Sequence, residues 1–544
     1  MRSFSQGVST DGQDYDTKSD RLRLQRQNLV QVHESTRPRY FLSKLFRSPW
    51  ALRAVVSAAL VIPCFWQPIV SSADLQSHLY NAWLAKLIRD GNIQGLWIGR
   101  QTTNFVVDLL LSWLLRVFGA SGAERVVTAV LVLLFFWGGF QLFSAVRGRP
   151  AYWVAPWLAI LSYGYVFQQG LLNYYFSCSI VLWLLAAFWT QPVEWGMLWT
   201  APLLILAYLG HPLPVLWFLG VLAYCRLAQQ LRLRFQILLF VGSACVLFLI
   251  RHYIVARYLT VWELRQLVYW TGADQALVYG WIYLAVALGF LLFIAILLNE
   301  PENRWQALVS VPAQAYFLTA VAIVLIPSNI RASVEQAWAG YIAERLSLVS
   351  GVLLLAVVGS SVPRGWYLPA GLVTAAIFFG ALYTDVGRQA RVEGRMQELV
   401  QALPAGERVI SYNHFSYQEE PGELLTGEGK LTHLAALLSS IFTDRLNSTH
   451  LVSRACLGHC FDYMNYEPST NQFRIHAVPG NPVVMGSQAD VIDVADGTYM
   501  VKAIDLPLYV LLRCGARPGD IRMRPLAEGE SGKMLACPVA AAAW

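Results

Sequence analysis

The sequence predicts an α-helical polytopic membrane protein of about eleven transmembrane helices plus interfacial helices, ending in a C-terminal α+β domain over 385–544. Three observations carry that prediction. First, 56% of the 544 residues are hydrophobic and only 14% are charged, whereas a soluble domain carries about 25% charged residues; the mean hydropathy is +0.44. Second, apolar runs approaching the ~20 residues needed to cross hydrocarbon recur from 51 to 384. Third, the pattern stops after Thr384, and the remainder holds 14 Lys and Arg against 18 Asp and Glu.

The elements follow in order. Residues 1–48 are polar and rich in Ser, Gln and Arg. That stretch is too long and too polar to open a signal peptide, so it reads as a disordered cytoplasmic tail, with the first apolar run kept as an anchor. The transmembrane domain spans 49–384, with apolar runs at 51–70, 124–146, 151–167, 177–190, 197–210, 213–229, 235–254, 278–298, 305–326, 341–359 and 366–384. The stretch 102–118, TTNFVVDLLLSWLLRVF, carries Asp108 and Arg116 and reads as an interfacial helix. Placing the tail inside puts Arg147, Arg149, the Arg226–Arg234 cluster, Arg304 and Arg364 inside as well, as the positive-inside rule requires. Many of the 20 Trp and 25 Tyr stand near the run ends, as interfacial belts do. The outside segments are then 71–123, 168–176, the Gly210–His211–Pro212 turn, 255–277, 327–340 and everything after Thr384. In the last of these, helices are expected near 389–402 and 432–445, and strands at 408–412, 472–478, 499–503 and 507–513. The net charge of +7 lies in the tail and short loops and calls for no nucleic-acid partner.

Candidate chemistry gathers at the outside level. Asp74 and His78 open an amphipathic segment directly after the first span. On a helix, Asp74, His78, Asn81 and Ala85 share one face. The pair suits a general base acting on a hydroxyl, with a divalent metal as the one cofactor it would admit; an N-cap role for Asp74, or capping through Ser71 or Ser72, suits the same residues. Gln101, Asn104 and Asp108, spaced i, i+3, i+7, form a polar stripe that either faces Asp74 or is a solvated helix face. In QQGLLNYYF, 168–176, the residues Gln168, Gln169, Asn173, Tyr174 and Tyr175 suit sugar hydroxyls, or else an interfacial turn built on Gly170. His211 before Pro212 is structural or a phosphate contact. The cations Arg251, His252, Arg257, Arg265, Arg331 and Arg345 offer phosphate contacts, with pairing to Glu344 or Glu335 as the plain alternative for the last two. Cys456, Cys460, Cys514 and Cys537 suit disulfides in any of three pairings, and Cys456–His459–Cys460 has zinc spacing as the alternative. Cys64, Cys178, Cys225 and Cys245 read as small buried apolar residues within spans.

Asp74 and its helix, the 102–118 segment ending Phe118–Gly119, then Glu124–Arg125, and the junction MQELVQALPAGERVI at 396–410 together resemble the membrane-embedded GT-C glycosyltransferases, among them the protein O-mannosyltransferases and the aminoarabinose transferase. The chain has Asp74–Leu75 where that family has an acidic pair, and Asn173 where it often has a second Asp. The resemblance implies a bacterial plasma-membrane enzyme with its N-terminus in the cytoplasm. It would take sugar from a polyprenyl-phosphate donor and pass it to an envelope glycan, lipid or protein acceptor. Asp74, with His78, would be catalytic, and Asn104, Asp108, Gln169, Asn173, Tyr174, His211, Arg257, Arg331 and Arg345 would contact substrate. A transporter or flippase for a lipid-linked envelope precursor is the competing expectation; it would place ionisable groups nearer the midplane and show internal repeats, and none is evident.

Overall fold

The structure, a computed structural model, describes residues 49–92, 96–98, 102–190, 193–299, 309–331, 338–359, 364–401, 405, 408–411, 454–462, 475–477, 498–502, 509–513 and 521–525. The expected tail 1–48, the expected helix at 432–445, Gln101, Arg304, Cys514 and Cys537 lie outside these residues. The chain divides at Leu60 and Val61 into two units. The first contributes most of α1 (Pro49–Val61), where the Arg53 guanidinium lies over the Trp50 ring at 5.3 Å.

The second unit is mostly helical. It begins with α2 (Ala73–Arg89) and a short strand β1 (Leu96–Ile98). Next comes α3 (Val106–Arg147), with non-helical backbone at Gly119, φ 68. Glycine tolerates that left-handed conformation without a Cβ clash, so the amphipathic stretch ending at Phe118 and the apolar stretch beyond it are two arms of one kinked helix. The expected run at 151–167 divides into α4 (Ala155–Ser162) and α5 (Tyr165–Gln168). Gly164 marks the break, because a Cβ there would come within 2.8 Å of the Gln275 carbonyl oxygen. Then follow α6 (Leu172–Thr190), α7 (Val193–Gly210), α8 (Pro212–Gln230), α9 (Leu233–Arg257), β2 (Leu259–Val261), α10 (Gln266–Tyr269), α11 (Trp281–Leu298), α12 (Val311–Leu325), β3 (Asn329–Arg331), β4 (Trp338–Ala339), α13 (Ile342–Gly359) and α14 (Tyr367–Gln401).

Among the described residues seven helices are long and apolar enough to cross a membrane, with shorter apolar helices at Trp50–Cys64, Thr200–Gly210 and Val311–Leu325. Their surroundings differ sharply. α13 is buried along almost its whole length, and α3 packs along α6 beside it. No residue of α9 is buried, although the helix is apolar on every side. An all-round apolar helix is at rest in lipid or in a core, and only lipid suits one so exposed. Three of the four free cysteines are buried as expected, whereas Cys245 on α9 is exposed.

The spans and the outer helix expected separately at 366–384 and 389–402 are one helix, α14. Beyond it lie β5 (Arg408–Ser411), β6 (Phe461–Asp462), β7 (Ile475–Ala477), β8 (Thr498–Lys502), β9 (Tyr509–Arg513) and β10 (Ile521–Pro525). Five of these form a mixed sheet in the order β10-β9-β8-β5-β6, with β5 parallel to both β8 and β6. β7 instead pairs antiparallel with β1, Trp97 opposite His476. β2, β3 and β4 make a small antiparallel sheet on which Arg331 is paired with Leu259 and Trp338.

Candidate active site

The helix carrying Asp74 is held at its first turn by the 168–171 turn. Gly170, at φ 78, faces it so closely that a Cβ would lie 2.4 Å from the Asp74 backbone nitrogen. In the space thus kept open, the Asp74 N–H donates to the Gln169 carbonyl at 3.1 Å. Ser72 is the N-cap residue, but its hydroxyl donates to the Phe167 carbonyl at 2.8 Å and caps nothing. Asp74 is therefore not the cap. It sits inside the first turn, where the helix dipole favours a carboxylate, and its side chain is directed elsewhere.

That direction is His78. Asp74 Oδ2 is 3.2 Å from His78 Nε2, and Asp108 Oδ1 is 2.7 Å from His78 Nδ1. A neutral imidazole can donate from only one ring nitrogen. Serving both carboxylates takes the imidazolium. Burial is the largest single influence and opposes the charge, but Asp108 and Asp74 together outweigh it and hold His78 well above its ordinary value. Asn173 continues the chain: its Nδ2 donates to Asp108 Oδ2 at 2.9 Å, and its Oδ1 accepts the Val107 N–H at 2.9 Å. That backbone donor, an orphan of the α3 first turn, fixes the Asn173 amide and through it Asp108. The order is Asp74–His78–Asp108–Asn173, and its members are not equally accessible. Asp74 keeps 14% of its side chain exposed, against 2% for His78 and 1% for Asp108. Asp74 is the member that can touch a substrate.

The next residue along α6, Tyr174, leads to a cluster around Arg345 and His211. The Tyr174 hydroxyl donates to the Arg345 carbonyl at 2.5 Å, and the Arg345 guanidinium carbon lies 5.9 Å from the Tyr174 ring centroid. The His211 ring meets the same tyrosine edge to face at 5.5 Å. Glu344 does not take up Arg345; it accepts from Ser328 Oγ at 2.8 Å. Arg345 instead places Nη1 3.3 Å from His211 Nε2, and Asp74 lies within its electrostatic reach. His211 Nδ1 accepts the Leu213 N–H at 3.2 Å, capping α8. With Nδ1 accepting, the ring proton sits on Nε2, and two donors then confront each other across 3.3 Å. The other tautomer only moves the conflict to Leu213. Burial first, and Arg345 second, hold His211 well below its ordinary value, so no second proton changes this. Arg345 Nε is buried with no acceptor among the described residues. The cluster therefore holds more donors than acceptors among the described residues.

Other expected positions stand apart from this pair of sites. Of the Gln101–Asn104–Asp108 stripe, Asn104 precedes α3, which starts at Val106, and has left-handed backbone, φ 64. Asp108 joins the site. Arg257 ends α9, exposed, with the Tyr253 ring at 6.0 Å. Arg331 is placed by its backbone on β3. Gln168 is buried and donates to the Tyr163 carbonyl. A metal does not fit the Asp74–His78 pair, since each ring nitrogen faces a carboxylate oxygen at hydrogen-bond distance and keeps no lone pair. No cluster of three or more His, Cys, Asp or Glu suited to a metal occurs among the described residues. The zinc alternative at Cys456 and Cys460 is overturned, because the two are joined in a disulfide.

Sequence reasoning names Gly170 as a turn residue but misses its packing against a helix end 96 residues earlier in the chain. It also missed the partner of Glu124, which lies 330 residues away at Arg454. Comparison with protein-family models, curated proteins and solved structures returns no match for this chain.

Proposed function

We propose that the chain is an integral-membrane glycosyltransferase of GT-C type that moves a sugar from a polyprenyl-phosphate donor to an extracytoplasmic acceptor. In this reading the seven long helices, the three shorter apolar ones and the α4–α5 pair make eleven crossings of a bacterial plasma membrane. The N-terminus is cytoplasmic, and the β-containing C-terminal domain lies outside with Asp74.

The observation that carries the reading is the adjacency of an acid relay to a buried cluster of donors in which Arg345 Nε has no acceptor among the described residues. Asn173 and Tyr174 are consecutive, and one orders Asp108 while the other orders Arg345. Asp74 takes the proton of the acceptor hydroxyl as that oxygen bonds to the anomeric carbon. The bond from that carbon to the phosphate oxygen breaks, and the lipid phosphate leaves on the opposite face, so configuration inverts. Charge grows on the departing phosphate, where Arg345 and His211 Nε2–H supply donors; electrostatic stabilisation of this kind is the largest contribution in most enzymes. His78, charged, keeps Asp74 ionised and oriented, and Asp108 with Asn173 holds the ring. A base weakened by a cation suffices, because the hydroxyl becomes acidic only as it bonds to an electron-poor carbon.

The test is a deletion strain complemented with variants and profiled for envelope glycolipids and glycans. Wild type restores one missing sugar. Asp74→Asn restores none, a loss of about 10²-fold or more in transfer, while the protein still accumulates in the membrane. Arg345→Met behaves likewise. A full profile restored by Asp74→Asn overturns the assignment. So does a deletion strain whose profile is unchanged, which is the outcome a transporter of another solute gives.

A further inference from the structure

Away from the acid relay, three segments converge on one side chain, Arg454. Its Nη1 donates to Gln76 Oε1 at 2.6 Å and also to Glu124 Oε2. Its Nη2 donates to Glu124 Oε1 at 3.1 Å, completing a two-pronged contact. Its Nε forms an ion pair with Glu393 Oε2 at 3.4 Å. Glu124 is fully buried and Glu393 nearly so. Two buried carboxylates thus share one cation, and neither has another cation recorded against it among the described residues.

The cluster reaches α2 from both sides of Asp74. Gln76, two residues after Asp74 and two before His78, is held directly by Arg454 and in turn donates to the Val70 carbonyl at 3.4 Å. On the other side, Glu393 Oε1 accepts from Gln389 Nε2 at 3.0 Å, and Gln389 Oε1 accepts from Ser71 Oγ at 2.9 Å. Ser71, Gln389, Glu393, Arg454 and Gln76 therefore close a ring of polar contacts around the entry to the helix.

Helical backbone over 454–456 runs into a turn in which the Leu457 N–H donates to the Arg454 carbonyl at 3.1 Å and the Cys460 N–H to the Cys456 carbonyl at 3.0 Å, with Gly458 at φ 81. The Cys456–Cys460 disulfide, both cysteines fully buried, staples it, and the chain passes at once into β6 beside β5.

We propose that Arg454 is a positioning residue: the disulfide-stapled turn 454–460 clamps the outer segment onto Glu124 and Glu393 and, through Gln76, fixes the helix that carries Asp74 and His78. The clamp is a property of the fold and stands whether or not the chain transfers sugar, so its test needs no turnover. The full-length protein in lipid nanodiscs is followed by hydrogen–deuterium exchange with mass spectrometry, and His78 by its modification with diethyl pyrocarbonate. In wild type, the 73–82 amides exchange slowly and His78, 2% exposed, is protected. Arg454→Met, and separately the double change Cys456→Ser with Cys460→Ser, speed exchange over 73–82 tenfold or more and expose His78, while α13 amides keep their wild-type rates. Arg454→Lys, which keeps a cation between the carboxylates, restores protection in part. Unchanged exchange over 73–82 in both disrupted forms overturns the proposal. Acceleration that includes α13 overturns it too, because it marks general loosening of the fold in place of release of one helix.

Discussion

At the scale of the residue, the Asp74–His78–Asp108 chain makes His78 the group whose charge the site depends on. Both ring N–H groups have carboxylate acceptors only in the imidazolium. Its folded value is held above the unfolded one of about 6.5, so the stabilisation is complete below that value and is lost as pH rises through the folded value. We expect the thermal midpoint of the wild-type protein in detergent to fall as pH rises above neutral. His78→Gln should be less stable in acid and flatter over the same alkaline range, and identical slopes for the two proteins would refute the charged state. Replacing the ring by an apolar side chain is harsher. His78→Leu leaves the buried Asp108 without its charged partner, and removing the partner of a buried charge costs about 3–5 kcal/mol. Denaturant or thermal unfolding checks that figure. The sequence placed Asp74 and His78 on one helical face, and they do meet. It could not place Asp108 and Asn173 beside them, because those contacts span 30 and 65 residues and depend on how three helices pack.

At the scale of the element, the site exists because a tight turn meets a helix end. Gly170 adopts φ 78 and approaches the first turn of α2 so closely that a methyl group would sit 2.4 Å from Asp74 N and 2.8 Å from Leu75 N. Both obstacles are backbone, which cannot swing aside as a flexible side chain would. We therefore expect Gly170→Ala to destabilise by about 3 kcal/mol, combining left-handed strain of about 1–2 kcal/mol with an overpacking cost of about 1–3 kcal/mol. Loss of the Asp74 N–H contact to Gln169 should accompany it, visible as faster exchange at that amide; a variant as stable as wild type would show the turn is free to move. The reach of sequence reasoning at this scale follows the same division. Apolar periodicity and length locate α3, α6, α11 and α13, and Phe118–Gly119 marks the kink in α3. The run at 151–167 looks continuous in composition yet breaks at Gly164, because the loop bearing Gln275 presses there and Val166 N–H donates to Gln275 Oε1 at 3.2 Å. Composition records what a segment prefers; the break is imposed by a segment 109 residues later, and Gly164 is its only local sign within the run.

At the scale of the whole molecule, the C-terminal segment is tied to the membrane helices by a charge count that does not balance, and pH should reveal it. Around Glu393 the charged groups are Arg454 and Glu124; Gln389 and Gln76 are neutral. Burial pushes Glu393 up, Arg454 offsets only part of that, and Glu124 adds to it, so the carboxyl is raised to about 7 from an ordinary 4.5. The sign follows from linkage: where the unfolded chain gives up this proton first, raising pH favours unfolding. Stability should thus decline between about 4.5 and 7 and then level off, with a full penalty on the order of 3 kcal/mol at 1.36 kcal/mol per pH unit. Glu393→Gln keeps the shape and an acceptor for Arg454 while removing the ionisation. It should match wild type near pH 4, where both side chains are neutral, and exceed it at pH 8, with a higher thermal midpoint and slower exchange over 454–460. The difference between the two proteins, taken across pH, isolates this one carboxyl from every other titrating group. If the variant is no more stable than wild type at pH 8, Glu393 is already fully paired by Arg454, and the clamp holds two ionised carboxylates with one guanidinium.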